Sequence, residues 1–116
     1  MRYLLLICND EKAMLGMSPE DGAKMLQAWG SYTQDLKSAG KYVSGERLRP
    51  TTSATTVRQS NGKVLLSDGP FAETKEQLGG FFILEAANLD EAVEWAARMP
   101  HVAQGGSTEV RPIWDM

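Results

Sequence analysis

Two apolar runs along the chain have the length and composition of buried strands. The run from Arg2 to Cys8 (RYLLLIC) is apolar almost throughout, and the run from Gly79 to Ala86 (GGFFILEA) has the same character. Unbroken apolar runs of this length are typical of strands that are buried within a sheet. The segments KYVSGERL and STEVRPIW predict two further strands, the second at a sheet edge or a strand end because Pro112 has no backbone N–H.

A helical repeat of apolar residues follows the first run. Ser18 is a suitable N-cap, Pro19 suits the first helical position, and Gly40 suits the left-handed stop that ends many helices. These signals predict a helix from Ser18 to Ala39. Its apolar stripe consists of Met25, Trp29, Tyr32 and Leu36.

A shorter helix is predicted in the segment NLDEAVEWAARMP. Asn88 can cap its first turn, and Glu91 lies three residues later, which is the spacing of a capping box. Pro100 ends the helix. The predicted apolar stripe consists of Leu89, Ala92, Val93 and Ala96.

Between the two helical segments lies a β-hairpin signal, SATTVRQSNGKVLLSDG. Its centre is Asn61-Gly62, a pair that readily adopts the two positive φ angles of a type I′ turn. β-Branched residues flank this pair on both sides. The segment therefore predicts two antiparallel strands that are joined by a two-residue turn.

The order of the elements, β-α-β, hairpin, β-α-β, predicts an α+β fold. Two such units form the ferredoxin-like arrangement, an antiparallel sheet with both helices on one face. The apolar side chains of the central strands continue on the other face, and a second copy of the chain would cover them. We therefore predict one domain, residues 1–116, that forms a homodimer.

Composition and charge exclude several classes of function. The formal net charge is −3 and there is no run of basic residues, so direct nucleic-acid binding is not expected. The first apolar run is too short to span a membrane, and no signal-peptide pattern surrounds it. One cysteine, Cys8, cannot form an internal disulfide. These features predict a cytoplasmic location without membrane association.

The sequence lacks the residue patterns that are typical of metal sites and cofactor-binding sites. His101 is the only histidine, and no His-rich, Cys-rich or HExxH spacing occurs, so no metal site is predicted. Gly79-Gly80 precedes a strand and is neither a Walker A loop nor a GxGxxG fingerprint, so no cofactor is predicted. His101 follows Pro100 and is expected in a surface loop, with a catalytic role as the lesser alternative.

The stretch SDGPFAETKEQLGG contains the densest group of chemically useful side chains. Asp68 is the best acid-base residue, since a carboxylate near a lysine can act as a general base. Phe71 could dock the loop onto the body of the protein. The other option is a solvated turn with ordinary surface charges. The residues expected to bind a small polar or anionic ligand are Trp29, Glu46, Arg47, Phe71, Glu73 and Lys75.

Several motifs together resemble the DGPF subgroup of the YCII-related family, namely GERLRP, DGPFAETKEQLGGFFILE, DEAVEWAARMP and EVRPIW. The resemblance runs from Arg2 to Trp114 and implies a dimeric α+β-barrel built from ferredoxin-like protomers. Its YCII branch resembles enzymes that use a His-Asp pair. The matching positions here hold Trp29 and Met99, which cannot transfer a proton at neutral pH. His101 does not match the family histidine.

Two functions remain open. The chain is either a small-molecule-binding domain or weak acid-base enzyme, of lyase or isomerase type, without the family dyad. Alternatively, it is a non-catalytic regulatory partner of a sigma factor, a role that the resemblance implies and that would act through protein contacts. The first function predicts that Asp68, Lys75 and Glu46 converge on a pocket.

Overall fold

The computed structural model describes residues 1–116 and has the predicted ferredoxin-like architecture. Its four-stranded antiparallel sheet has the order β2-β5-β1-β6, and β3 pairs with β4 in a separate two-stranded sheet. This order confirms the α+β fold, with the hairpin inserted between the second and third strands of the main sheet. In chain order the elements are β1 (Arg2–Asn9), α1 (Glu11–Leu15), α2 (Pro19–Ser38), β2 (Tyr42–Arg47), β3 (Thr55–Ser60), β4 (Lys63–Asp68), β5 (Gln77–Glu85), α3 (Leu89–Ala97) and β6 (Ser107–Pro112).

The core lies between one face of the main sheet and the helices α2 and α3. Tyr3, Leu5 and Ile7 alternate along β1 and are all buried, as expected for one face of a strand. Leu5, Leu36 and Leu84 are fully buried, so the central strands and α2 meet without a gap. The remaining buried apolar residues are Tyr32, Ala86, Ala92, Ala96 and Met99.

Helix α2 begins and ends where its capping residues predict. The Ser18 hydroxyl accepts a hydrogen bond from the Asp21 N–H at 3.1 Å, and Gly40 has a φ of 71° just beyond the end. Tyr32 and Leu36 are buried, and Trp29 is half-buried against the core. The predicted stripe therefore faces the sheet.

Helix α3 packs through its small residues. Its N-cap is confirmed, because the Asn88 side chain accepts a hydrogen bond from the Glu91 N–H at 3.0 Å. The predicted stripe is half wrong: Ala92 and Ala96 are buried, whereas Leu89 is 50% and Val93 47% exposed. Because alanine has only a methyl side chain, it lets the helix approach the sheet closely, and the larger residues then lie at the side of the contact.

The short helix α1 was not predicted from the sequence. Asp10 caps it by accepting a hydrogen bond from the Lys12 N–H at 3.0 Å. The Glu11 carboxylate accepts hydrogen bonds from the Thr51 N–H at 2.7 Å and the Thr51 hydroxyl at 2.6 Å. Helix α1 is therefore joined to the turn that precedes β3. A helix of five residues is too short to show a periodic pattern.

The hairpin turn is confirmed, but the hairpin stands apart from the main sheet. Asn61 has a φ of 52° and Gly62 a φ of 77°, as a type I′ turn requires. We call residues 55–68 the hairpin arm. The prediction that Phe71 docks this region onto the body is wrong for the single chain, because Phe71 is 77% exposed.

The second face of the main sheet has no cover within the chain. Leu4, Leu6, Phe81 and Ile83 alternate with the core residues and are only half-buried, although they lie in the two central strands. The dimeric barrel that would cover them stays a prediction. No helix in the chain combines the length and the apolar character that crossing a membrane requires.

The packing of α2 on α3 depends on one buried phenol. The Tyr32 hydroxyl donates a hydrogen bond to the Trp95 carbonyl at 2.7 Å, and burial raises the pKa of this phenol. We expect Tyr32→Phe to lower the free energy of unfolding by about 1–2 kcal/mol, because the carbonyl loses a buried partner. Denaturant titration measures this, and Tyr42→Phe is the control because Tyr42 is only half-buried at the edge of the core. Equal losses for both variants would contradict the assignment.

Candidate functional site

A cavity of about 500 Å³ lies beside the end of β1, between α1, the first half of α2 and the loop after α3. This volume is in the range of pockets that hold small molecules. A larger groove of about 650 Å³ runs along α2, but its Asp35 and Arg98 already form an ion pair at 3.0 Å. The polar and larger apolar side chains that line the first cavity are Asn9, Asp10, Met14, Met17, Met25, Trp29, Lys75, Glu76, His101 and Gln104.

His101 is buried, so the expectation of a surface histidine is wrong. Only 3% of the residue is exposed, and Trp29 stacks on its ring with a centroid distance of 5.5 Å and an interplanar angle of 17°. The chain reverses at Gly105, which has a φ of 93°. A Cβ at Gly106 would lie 2.8 Å from the His101 Cδ2 and 2.9 Å from the Cys8 carbonyl oxygen. Glycine at 106 therefore allows β6 to pass directly over the imidazole.

The hydrogen bonds of His101 fix its tautomer. Nε2 lies 2.8 Å from the Ser107 carbonyl oxygen, and because a carbonyl can only accept, Nε2 carries the hydrogen. In the neutral ring Nδ1 then has a free lone pair, and this buried atom has no hydrogen-bond partner. Burial lowers the pKa of His101, opposed by the hydrogen bond to Ser107 and by the charge of Glu76. His101 is thus a neutral base at neutral pH.

Asn9 provides the second buried polar atom without a partner. Its Nδ2 donates a hydrogen bond to the Met14 Sδ at 3.3 Å, whereas its Oδ1 has none. Asn9 lies opposite Gln77, just beyond the point where the β1–β5 register shifts at Gly79. Unpaired buried polar atoms are rare in folded proteins. Both such atoms in this chain belong to residues that line the same cavity.

Two charged residues of the DGPF stretch reach the rim of the cavity. Lys75 is exposed and has no carboxylate within 4.0 Å. Glu76 is half-buried and accepts a hydrogen bond from the Ser107 hydroxyl at 3.0 Å. The segment is held in place by Gln77, whose side chain accepts from the Glu11 N–H at 2.9 Å and donates to the Thr74 carbonyl at 2.6 Å. A free cation and a fixed carboxylate therefore lie side by side at the entrance.

The walls of the cavity are apolar and adaptable. Trp29 also lies edge-on to Tyr32 and Phe82, with centroid distances of 5.8 and 5.9 Å, so its ring is held by three aromatic neighbours. The methionines have flexible, polarisable side chains that conform to flat ligands. The wall methionines are Met14, Met17 and Met25.

The structure does not bring together the residues that the sequence singled out. Trp29 and Lys75 line the cavity. Asp68 ends β4 at the base of the hairpin arm and is exposed, so the expected convergence of Asp68, Lys75 and Glu46 is absent. Four predicted site residues lie elsewhere and are exposed: Glu46 and Arg47 at the end of β2, and Phe71 and Glu73 after the arm.

The sequence did not single out Asn9 or Glu76 as site residues, and it gave His101 a catalytic role only as the lesser alternative. The sequence contains one signal for this site, which is the polar Asn9 at the end of an apolar run. The positions that the resemblance assigns to a His-Asp pair do lie beside His101: Trp29 stacks on it, and the Met99 Sδ is 3.4 Å from the Thr108 hydroxyl. That hydroxyl lies 3.1 Å from the His101 Nε2. An imidazole thus reaches this region from a different element. No group of three or more His, Cys, Asp or Glu that could hold a metal ion is found.

The buried imidazole makes stability depend on pH in a defined window. The folded chain protonates His101 less readily than the unfolded chain does, so the free energy of unfolding should fall as the pH drops below 6.5. Above pH 6.5 His101 is neutral in both the folded and the unfolded chain. The loss of unfolding free energy levels off once the pH is below the pKa of His101 in the folded chain. His101 is the only histidine, so NMR gives one imidazole titration. His101→Gln is the control, since it should lack this part of the pH dependence. A titration midpoint at or above 6.5 would contradict the assignment.

Comparisons with known proteins agree with this architecture. The chain is 40% identical over 114 residues to an uncharacterized protein of Rhizobium meliloti (strain 1021), covering 97% of this chain and 92% of that protein. Among solved structures it is similar to 5-chloro-2-hydroxyhydroquinone dehydrochlorinase (TftG) from Burkholderia phenoliruptrix in complex with 2,5-dihydroxybenzoquinone. The TM-score is 0.58 with 20% identity, and the match covers 98% of this chain and 94% of that one. The model of the YCII-related domain matches residues 1–116, and the chain therefore belongs to the family of YCII-related domain proteins.

Proposed function

We propose that this chain binds a small hydroxylated, anionic molecule in the cavity beside His101, and that His101 acts there as a general base. The observation that carries this proposal is the pair of buried, unpartnered atoms, Nδ1 of His101 and Oδ1 of Asn9, on residues that line one cavity. The activity would be a weak acid-base reaction of lyase or isomerase type that needs no His-Asp pair.

The chemistry of the two free atoms defines the ligand. Both are acceptors, because Nε2 carries the imidazole hydrogen and Oδ1 is an amide oxygen. A ligand that satisfies them must donate, and a hydroxyl group is the simplest donor. Lys75 at the rim favours a negative charge on the far side of the ligand. The flat face of Trp29 and the methionines suit a planar ring.

The proposed proton transfer requires the flexible methionine wall to open a path to Nδ1, which is closed to solvent in the folded chain. The O–H bond of the ligand breaks, its proton moves to Nδ1, and the electron pair stays on the ligand oxygen. The negative charge of Glu76 favours the imidazolium that forms, since it raises the pKa of His101. Lys75 favours the new oxyanion. Each charge that develops in the step thus has a counterpart of opposite sign at the cavity.

The protein is further proposed to act as a homodimer in the cytoplasm. Leu4, Leu6, Phe81 and Ile83 leave an apolar sheet face that a second copy would cover. Cys8 is a free thiol, which needs no oxidising compartment. The role beside a sigma factor stays a prediction of the resemblance, and no feature of the cavity favours it.

A direct test compares two acid-base residues with one probe. The probe is 2,5-dihydroxybenzoate, a planar ring related to the ligand in the TftG structure, which at pH 7.5 is an anion through its carboxylate and keeps both hydroxyl protons. We expect His101→Gln to weaken binding about tenfold, because one buried hydrogen bond is lost. Asp68→Asn should leave binding unchanged, since Asp68 lies outside the cavity. Calorimetric titration at pH 7.5 measures both. Loss of binding in Asp68→Asn alone would restore Asp68 as the acid-base residue.

Lys75 allows a separate test of the charge of the ligand. Lys75→Gln should weaken binding of the same anionic probe by roughly threefold at low salt, as expected for an exposed charge pair. The affinity of the wild type should fall as salt is added, and that of the variant should fall less. Lys63→Gln, on the hairpin arm, is the control for net charge. An unchanged salt dependence in Lys75→Gln would argue against an anionic ligand.

A further inference from the structure

One face of the hairpin arm is apolar and lies in solvent. Val57 faces Leu66 across the two strands, and Gln59 faces Val64, so Val57, Val64 and Leu66 share one side of the ribbon. Their exposed fractions are 63%, 64% and 69%. Three large aliphatic side chains on one face of a soluble ribbon mark a contact surface.

The opposite face is polar and anchors the arm at its base. The Arg58 guanidinium donates a hydrogen bond to the Phe71 carbonyl at 3.0 Å, and the Thr56 hydroxyl donates to the Gly69 carbonyl at 2.8 Å. The Gly69 N–H also donates to the Ala54 carbonyl at 2.8 Å. The DGPF turn is therefore held against the base of the arm, which leaves the Phe71 side chain 77% exposed.

Nothing within the chain packs on the apolar side of the arm. The Cα radius of gyration is 16.0 Å, whereas a compact domain of this length has about 13 Å. The molecule measures 49 × 43 × 19 Å, a wide and thin shape. An isolated two-stranded hairpin is at best marginally stable in water. The exposed apolar face and the isolation of the arm are thus typical of an element that is buried when protein chains associate.

The geometry points to a second copy of this chain as the occupant: the apolar face of each arm packs on the partner across a two-fold axis. This inference rests on the homodimer proposed above and adds the element that fastens it. The chain carries two uncovered apolar surfaces, the arm and the second face of the sheet, and two-fold pairing covers both in each copy. In this role the DGPF turn is the anchor of an intersubunit arm.

The apolar area of the arm can be compared with the area that a stable dimer interface buries. Val57, Val64 and Leu66 together leave on the order of 200 Å² of apolar surface in solvent on each arm. Two arms and the surfaces that they cover would bury roughly 800 Å², so the uncovered sheet face has to supply the rest of the about 1,200–2,000 Å² that specific interfaces bury. The arms and the uncovered sheet face together therefore supply an interface of ordinary size.

Two adjacent leucines on opposite faces provide a matched test. Leu66→Thr removes an apolar contact from the docking face, and Leu65→Thr makes the same change on the polar face. Threonine preserves strand propensity in both. Sedimentation equilibrium of the full chain should show a dimer of twice 12.7 kDa. Leu66→Thr should raise the dimer dissociation constant roughly tenfold or more, because symmetry removes the contact twice, whereas Leu65→Thr should leave it unchanged.

The outcomes separate the arm from the dimer as a whole. A wild-type monomer at micromolar concentration would overturn both the homodimer and the arm contact. A dimer that Leu65→Thr and Leu66→Thr affect equally, but that Leu6→Thr on the sheet face weakens, would overturn the arm contact alone. Hydrogen exchange of the wild type adds a test without mutation: amides 55–68 should gain protection as protein concentration rises through the dissociation constant. Protection that does not change with concentration would also overturn the inference.

Discussion

The pairing of β1 with strands on both of its sides determines where every other part of this molecule lies. Tyr3, Leu5 and Ile7 face the helices because side chains alternate along β1, one of the two central strands. The register of β1 with β5 and β6 sets which side chains meet at its end. Cys8 lies opposite Leu78 on one side and Ser107 on the other. The polar ends of three strands therefore meet beside Asn9, and the cavity forms where the apolar ladder stops.

The cavity combines two unpaired hydrogen-bond acceptors with apolar walls. His101 is stacked under Trp29 and fixed by Ser107, so it cannot rotate to find a partner for Nδ1. An unpaired buried acceptor opposes folding by an amount comparable to a lost hydrogen bond. In the proposed function, a ligand hydroxyl that donates to these two atoms would offset this cost. The two unpaired acceptor atoms, Nδ1 of His101 and Oδ1 of Asn9, are therefore more informative about function than the charged residues of the DGPF stretch are.

The sequence predicted what depends on local signals. The predictions of helix α2 and of the hairpin are confirmed, because capping residues, a 3.6-residue repeat and an Asn-Gly turn each act over a few positions. The site was largely missed because it depends on distant contacts. The burial of His101 results from Trp29 on another helix and from the close passage of β6 at Gly106, and neither leaves a pattern near His101. The dense charges after Asp68 indicated chemistry, whereas most of them lie in solvent.

The one-sided sheet also changes what the stability of this protein means. Only 12 of 116 residues are buried in the single chain, which is a small core for its length. Anything that binds the folded chain but not the unfolded one shifts the folding equilibrium by mass action, and in the proposed homodimer another copy of the chain would be such a binder. For a fold with one open face, the melting temperature is then a property of the solution as much as of the molecule. In the proposed homodimer, folding and self-association would become one equilibrium, governed by the protein concentration.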